Sequence, residues 1–393
     1  MNLISNRSLL KISPPFIKGG AGGISEGTMS RCRLCNFSSN PVSKEIGVCA
    51  NCLKAKPEEA LPFALQTHRK SRAAYHLPET APKVDQGIPC NLCVNECRIP
   101  EGGLGFCGLR RNEGGKLTGV SAEEGKLSWY YDPLPTNCVA DWVCPGGTGS
   151  GFPRYAHCSG PERGYKNLAV FFHACTFNCL YCQNWHFRDE TLKPRTTPLS
   201  RLVSDVDEKT SCICYFGGDP AAQLPFSLAA SRKALAEKKR KILRICWETN
   251  GSMHPGLLDE MIDLALGSGG CIKFDLKAWD ENLHQALTGI PNRRTLENFR
   301  RAGEKAGTRP DPPLVIASTL LVPGYVEEEE VRSLARFIAS INPEIPYSLL
   351  GFYPHFFMSD LPFIPRSTAE KCLQAARDEG IRNVRLGNVH LLR

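Results

Sequence analysis

His173-Ala-Cys175-Thr-Phe-Asn-Cys179-Leu-Tyr181-Cys182-Gln-Asn-Trp185 sets three cysteines in eight residues, as C-x3-C-x2-C. The apolar run 167–172 leads into them as a buried strand would. Three thiolates this close suit a cubic iron–sulfur cluster, in which each grips one iron and the fourth iron has no protein ligand. An open iron is a place for chemistry, whereas a fully capped cluster carries electrons. Two other readings use the same residues: a zinc knuckle with His173 or His186 as fourth ligand, or three inert buried thiols.

Outward from this stretch the pattern settles into strand–helix alternation. Apolar runs at 167–173, 211–216, 242–247, 271–276, 314–321, 347–352 and 382–386 are expected to be strands. Amphipathic segments at 225–240, 256–266, 293–306, 326–340 and 367–379 are expected to be helices between them. Repeated βα units imply an α/β fold with a parallel sheet, helices outside and a site at the C-terminal strand ends. The suggestive groups fall at such ends. The second strand is followed by Gly217-Gly218-Asp219-Pro220, the third ends in Glu248-Thr249-Asn250-Gly251, and the fourth in Asp275-Leu276-Lys277. Two glycines permit close backbone approach to a ligand and proline fixes the turn. A plain turn would use the same residues, and the charged groups could be ordinary rim ion pairs.

Upstream the chain is rich in cysteine. Cys32-x2-Cys35 and Cys49-x2-Cys52 have the spacing of a zinc ribbon, and a rubredoxin-like iron site would take the same ligands. Cys90-x2-Cys93-x3-Cys97 and Cys107 put four more thiols within eighteen residues around Gly102-Gly103 and Gly105, enough to share one zinc ion or a second iron–sulfur cluster. Cys138, Cys144 and Cys158 bracket Pro145-Gly-Gly-Thr-Gly-Ser-Gly151, which lacks the strand and helix of a phosphate loop and reads as a flexible connector. These cysteines could hold a further cluster or be buried thiols. The expected organisation is a non-native or disordered 1–28, with Met29 as the biological start, a ribbon at 29–56 and a helix-plus-linker at 57–86. A cysteine-rich extension at 87–160 and the core at 161–393 complete it.

Nineteen cysteines in a chain without a signal-peptide pattern point to metal or cluster binding in a reducing cytoplasm rather than a disulfide scaffold. Oxygen-sensitive clusters favour an anaerobic host. The net charge of +8 is spread along the chain, and its densest run, Arg232 to Arg244, alternates with Ala and Leu as a solvated helix face would. Neither a nucleic-acid patch nor a bilayer span is expected.

The C-x3-C-x2-C motif with Tyr181 before its last cysteine, followed by the Gly217-Gly218-Asp219-Pro220 turn, resembles the radical S-adenosylmethionine (SAM) superfamily. Within it, Trp247-Glu-Thr-Asn-Gly251 and Phe274-Asp-Leu-Lys277 are similar to the DTNG and DLK segments of pyruvate formate-lyase activating enzymes and of AmmeMemoRadiSam-system proteins. Leu320-Leu-Val-Pro-Gly-Tyr325, Tyr353-Pro-His355 with Asp360-Leu-Pro362, and Val384-Arg-Leu-Gly-Asn-Val389 match later segments. Cys107-Gly-Leu-Arg110 resembles an N-terminal segment of the second group, so the likeness covers about residues 87–393.

This resemblance implies a partial (β/α)6-type barrel with cysteine-rich N-terminal metal-binding segments. It implies that Cys175, Cys179 and Cys182 ligate a [4Fe–4S] cluster and that SAM chelates its open iron. Tyr181 would lie near the adenine, Gly217, Gly218 and Asp219 near the SAM amino group, and Lys277 near its carboxylate. Glu248, Thr249, Asn250 and Asp275 would surround it, with Glu248, Thr249 and Asp275 corresponding to a monovalent-cation site. Asp219 and Glu248 depart from the usual Glu and Asp. The implied chemistry is reductive cleavage of SAM to a 5′-deoxyadenosyl radical that abstracts hydrogen from a substrate. The electron would come from a flavodoxin- or ferredoxin-type donor. Activation of a glycyl-radical enzyme, or action on a Memo-like partner, competes with modification of a small molecule, a peptide or RNA. The reading from another class is a zinc-stapled, non-catalytic binding protein.

Overall fold

The structure, a computed structural model, describes residues 30–38, 40–238 and 241–393. Residues 1–28 and Met29, the expected start, lie outside them. Eight strands form the central sheet: β1 (Leu127–Pro133), β2 (Lys166–Phe172), β3 (Thr210–Gly217), β4 (Arg244–Thr249), β5 (Ile272–Asp275), β6 (Val315–Leu321), β7 (Tyr347–Gly351) and β8 (Val384–Gly387). They lie side by side in chain order. β2 to β8 are all parallel, and β1 adds an antiparallel edge with Leu127 opposite Phe172. A strand order that never reverses lets the five long helices that pack on the sheet share one of its faces. The sheet is a mostly parallel, barrel-like layer that stays open between β1 and β8.

Alternation along the strands divides the two faces. Ile213 and Tyr215, Ile245 and Trp247, and Ile272 and Phe274 are buried in one core with residues of helices Leu224–Lys238, Pro255–Ser268, Arg293–Gly303, Glu328–Ile341 and Arg366–Asp378. Their neighbours in sequence face the inner side. That face is crossed by the segment between β1 and β2, where Trp142 Nε1 donates to Ser348 Oγ at 3.2 Å and Arg385 pairs with Asp141. All seven expected parallel strands are present. β1 was missed because Ser128-Trp-Tyr-Tyr-Asp132 is half exposed and lacks clean alternation.

Two expectations need correction, the glycine connector and Arg244. The glycine run after Cys144 is packed, not a loose connector. Pro145–Thr148 makes a helical turn, and a Cβ at Gly147 would meet the Asp141 carbonyl oxygen at 1.7 Å. The stretch 57–86 begins, as a helix-plus-linker would, with a seventeen-residue helix, Pro57–Ala73, started by Pro57 with Glu58 and Glu59 in its first turn. Arg244 does not belong to a solvated face. It opens β4 with its side chain 2% exposed, in a bidentate pair with Glu162 at 2.8 and 2.6 Å.

The N-terminal pieces dock at the C-terminal rim of the sheet. Cys32, Val42, Ile46, Val48 and Leu53 share a buried cluster with Leu180, Tyr181, Tyr325, Phe352 and Met358. Tyr325 Oη accepts from Ser43 N at 3.0 Å and donates to Val48 O at 2.9 Å. Among the described residues, no helix is long and apolar enough to cross a membrane.

Candidate active site

β2 delivers the chain to Ala174 and the cysteine loop, and the loop is tied down from three sides. Asn178 N and Leu180 N donate to the carbonyls of Thr288 (2.8 Å) and Leu287 (3.0 Å), at the end of helix Glu281–Thr288. Between Cys175 and Cys179, the wholly buried Asn178 amide donates to His68 Nδ1 at 3.0 Å and accepts from Arg188 Nη2 at 3.1 Å. Ser71 Oγ, one turn from His68, is also within reach at 3.1 Å. Because Asn178 offers His68 an N–H, Nδ1 must be the acceptor and Nε2 donates to Ala286 O, 3.0 Å away. Burial agrees, holding His68 neutral with its pKa lowered to about 4. His68, Ser71, Asn178 and Arg188 were not singled out from the sequence. The signal available was a lone amide between two cysteines, which has no chemistry of its own.

The three thiols of the loop feel one another electrostatically. Burial raises Cys175 well above its ordinary value, with Asp219, Cys179 and Cys182 adding to it. Burial pushes Cys179 up to about 12, while Lys277 and Arg188 pull it back. Asn250 Nδ2 stands 3.8 Å from Cys175 Sγ and donates to Thr176 Oγ1 at 2.8 Å. The Tyr181 ring is buried and its hydroxyl has no hydrogen-bond partner among the described residues.

At the end of β3, Gly217 adopts φ +110°, and a Cβ there would lie 2.6 Å from Phe172 N. A Cβ on Gly218 would lie 2.1 Å from Ala174 O. The closest neighbour that these glycines admit is thus the backbone of the cysteine loop itself. Gly218 N and Asp219 N donate to Phe172 O (2.8 Å) and Ala174 O (2.7 Å), locking the two strand ends together. The buried Asp219 carboxylate then accepts from Ala221 N (2.7 Å), Asn250 N (2.6 Å) and Thr249 Oγ1 (3.1 Å). Burial raises its pKa to about 7, against the pull of those donors.

At the end of β5, Lys277 Nζ pairs with Asp275 Oδ2 at 2.6 Å, and Ser318 Oγ donates to Asp275 Oδ1 at 2.7 Å. The Lys277 pKa is raised: burial opposes the charge, but Asp275, Cys179 and Tyr181 more than offset it. The residues expected as a cation site are each engaged elsewhere. Glu248 Oε1 takes Lys273 Nζ at 2.7 Å on the inner face, and Thr249, the next residue, turns its hydroxyl to Asp219. Period-two alternation separates the two side chains. The mouth beside Cys182 is aromatic. Trp185 Nε1 donates to His355 Nε2 at 2.9 Å, and Trp185 stacks on Phe356 with ring centroids 5.7 Å apart.

The N-terminal cysteines form two groups. The sulfurs of Cys32, Cys35, Cys49 and Cys52 lie within 4.8 Å of one another, with Cys32–Cys52 and Cys35–Cys49 both at 3.7 Å. A tetrahedral ion with sulfur ligands at about 2.3 Å puts sulfurs about 3.8 Å apart, so the set fits one zinc-sized ion. Cys90 and Cys97 stand opposite each other on two short antiparallel strands, and burial raises the Cys90, Cys93 and Cys97 thiols with Cys107 adding to it. Among the described residues, however, only the ribbon's four sulfurs close to within 4.8 Å. Their segment is stitched to the rim. Val94 N donates to Ser252 O at 2.8 Å, and Asn95 Nδ2 to Thr176 O at 2.8 Å.

The radical SAM superfamily model matches residues 169–338. An isethionate sulfite-lyase activating enzyme of Desulfovibrio desulfuricans is 29% identical over 177 residues, 43% of this chain and 51% of the relative. The chain thus spans about half the length of that relative. An uncharacterised protein of Methanocaldococcus jannaschii is 25% identical over 314 residues, covering 78% of this chain and 82% of its own. The pyruvate formate-lyase 1-activating enzyme of Escherichia coli K12 is 29% identical over 197 residues, 46% of this chain and 74% of that enzyme. The cysteine loop, the Gly217–Asp219 turn and the Asp275–Lys277 rim all lie within 169–338, and the chain carries a radical SAM domain with activating-enzyme relatives.

Proposed function

We propose that the chain is a radical SAM enzyme whose cluster is held by Cys175, Cys179 and Cys182, with SAM bound across the rim formed by Gly217–Asp219, Asn250 and Lys277. The observation that carries this is that three thiols after β2 and the partly buried Lys277 after β5 converge on one C-terminal rim, near enough for Lys277 to act on Cys179. The donor set fits the group. A site-differentiated cube takes one thiolate per iron from three cysteines. Lys277 and Arg188 supply positive potential at Cys179, which favours the ionised ligand that iron requires. The partnerless Tyr181 hydroxyl and the exchangeable Lys277–Asp275 pair leave polar capacity beside it.

When bound, the cluster and SAM supply reductive cleavage of the sulfonium to a 5′-deoxyadenosyl radical that takes hydrogen from the substrate. The chain's own residues do the rest. Asp219 fixes the turn after β3 to Thr249 and Asn250 after β4, so that both loops move as one unit. Lys277, freed from Asp275, would clamp the SAM carboxylate by a charge-assisted hydrogen bond. The buried Tyr181 and Leu180 exclude water behind the loop. The activating-enzyme names of the relatives support a glycyl-radical enzyme as the substrate and a flavodoxin- or ferredoxin-type electron donor. The two N-terminal cysteine groups bind metal in this reading, and the ribbon's sulfur spacing fits one tetrahedral ion.

The test is anaerobic reconstitution followed by reduction with SAM present. Wild type should form 5′-deoxyadenosine, and Cys179→Ala should form none while the sheet stays folded. Undiminished 5′-deoxyadenosine from Cys179→Ala would overturn the assignment.

A further inference from the structure

On the inner face of the sheet, below the rim, lies a cavity of about 160 Å³ lined by six further cysteines. Cys212 and Cys214 come from β3, Cys246 from β4 and Cys271 from the entry to β5, while Cys138 and Cys144 reach in from the crossing segment. None belongs to the cysteine loop or to the two N-terminal groups, and Cys138 and Cys144 are two of the three that the sequence leaves open between a further cluster and buried thiols. Strand alternation segregates them: the helix-facing side of the same strands carries Ile213, Tyr215, Ile245, Trp247, Ile272 and Phe274 and no thiol. Inert core cysteines would be spread over both faces, since a free thiol packs as a small hydrophobe.

The company these thiols keep is polar. Lys273, with a 3% exposed side chain, puts Nζ 3.0 Å from Cys138 Sγ, 3.2 Å from Cys214 Sγ and 2.7 Å from Glu248 Oε1. A buried ammonium is costly unless its donors are taken up. Here two of its three partners are sulfur, which accepts strongly only as a thiolate. Cys246 and Cys271 add sulfurs 3.9 Å apart on paired strands. Thiolate sulfur is the ligand of soft metals. The six sulfurs are arrayed around a cavity rather than drawn to one point, an arrangement that suits more than one metal atom.

We propose that this inner cavity is a separate thiolate-bound metal centre, taking iron–sulfur or another thiophilic metal, with Lys273 as the cation that offsets ligand charge. Each ligating thiol gives its proton to solvent on binding, and Lys273 stays an ammonium. The centre would sit about two strand residues, roughly 6–7 Å, below Asp275 and Lys277 at the rim. It does not rest on the radical reading, because its readout is metal content and not SAM cleavage.

The experiment is iron, zinc and acid-labile sulfide per chain after anaerobic reconstitution. It compares full-length wild type with Cys214→Ala/Cys246→Ala and with Cys138→Ser/Cys144→Ser. The second pair lies on the crossing segment and spares the strands. Each pair should lose a whole centre's metal, while the metal held by the other cysteine groups stays. Iron lost with equal sulfide marks an iron–sulfur cluster, and zinc lost without sulfide marks a mononuclear site. A wild-type measurement needs no variant: Cys138 and Cys144, which are only partly buried, should resist alkylation in metal-replete protein and react after chelation. Metal content equal to wild type in both pairs, or alkylation of Cys138 and Cys144 with metal in place, overturns the proposal.

Discussion

Replacing Arg244 by Met tests whether the floor of the inner face is held by a buried ion pair. The Arg244 and Glu162 side chains are 2% and 0% exposed, and two parallel hydrogen bonds of 2.8 and 2.6 Å join them. Arg244 Nη1 also donates to Tyr155 O at 2.8 Å, and Glu162 Oε1 accepts from His157 N at 2.8 Å. Met fills a similar volume but leaves the carboxylate with that one donor. Breaking a buried pair in this way costs about 3–5 kcal/mol, and each 1.4 kcal/mol is a tenfold change in the folding equilibrium.

The sign with pH follows. In wild type, burial would raise the Glu162 pKa, but Arg244 wins and holds it below the ordinary carboxylate value. That contribution is present above the unfolded pKa and lost as pH falls through the folded one. In Arg244→Met, burial is opposed mainly by the His157 N–H and Glu162 takes up a proton in the folded state, so the deficit shrinks as pH falls from 7.5 toward 5. Urea unfolding at both values, at matched metal content, measures this. Adding Glu162→Gln should recover most of the loss at pH 7.5. A loss under about 1 kcal/mol, or one that does not change with pH, refutes the reasoning.

Three further outcomes follow from the site. Lys277→Ala should weaken SAM binding about ten- to a hundred-fold, from the roughly 1.5–3 kcal/mol of a charged hydrogen bond, while the cluster survives. A SAM titration of the reconstituted variant checks it, and unchanged affinity removes Lys277 from the cofactor. Gly218→Ala should disrupt the rim, since its methyl would meet the Ala174 carbonyl at 2.1 Å, backbone that cannot swing away; full cluster loading and SAM binding in this variant would contradict that. His68 and His284, each lowered to about 4 by burial, should lose stability as pH falls below 6.5, about 2 kcal/mol each by pH 5. Asp219, raised to about 7, works the other way. The His68 share is therefore read as the difference in urea midpoint slope between wild type and His68→Gln over pH 7 to 5.

The parallel sheet was legible because its strands are buried on both faces and read as apolar runs. The rim motifs were legible because each falls just after such a run. What the sequence concealed depends on the partner, not on the residue. Glu248 and Arg244 look like surface charges in one dimension, yet each is neutralised by a residue distant in the chain, Lys273 and Glu162. Asn178 looks like a spacer in the cysteine motif and becomes informative only once helix Pro57–Ala73 brings His68 and Ser71 to it. The inner cysteines were visible as letters. That Cys212, Cys214, Cys246 and Cys271 share one face with Cys138 follows only from the register of three adjacent strands and the path of the crossing segment.

The N-terminal pieces read as metal-stapled attachments, yet each touches a different side of the cysteine loop. The ribbon shares its core with Leu180 and Tyr181, helix Pro57–Ala73 reaches Asn178, and the second cysteine group reaches Thr176 and Ser252. For a small module held by metal, binding energy is folding energy. Where that module's apolar residues are also the cover of the catalytic loop, the same energy orders the loop. A metal held by Cys32, Cys35, Cys49 and Cys52 would therefore act on the rim mechanically, by keeping Leu180 and Tyr181 buried, and would need no electron or substrate contact to do so.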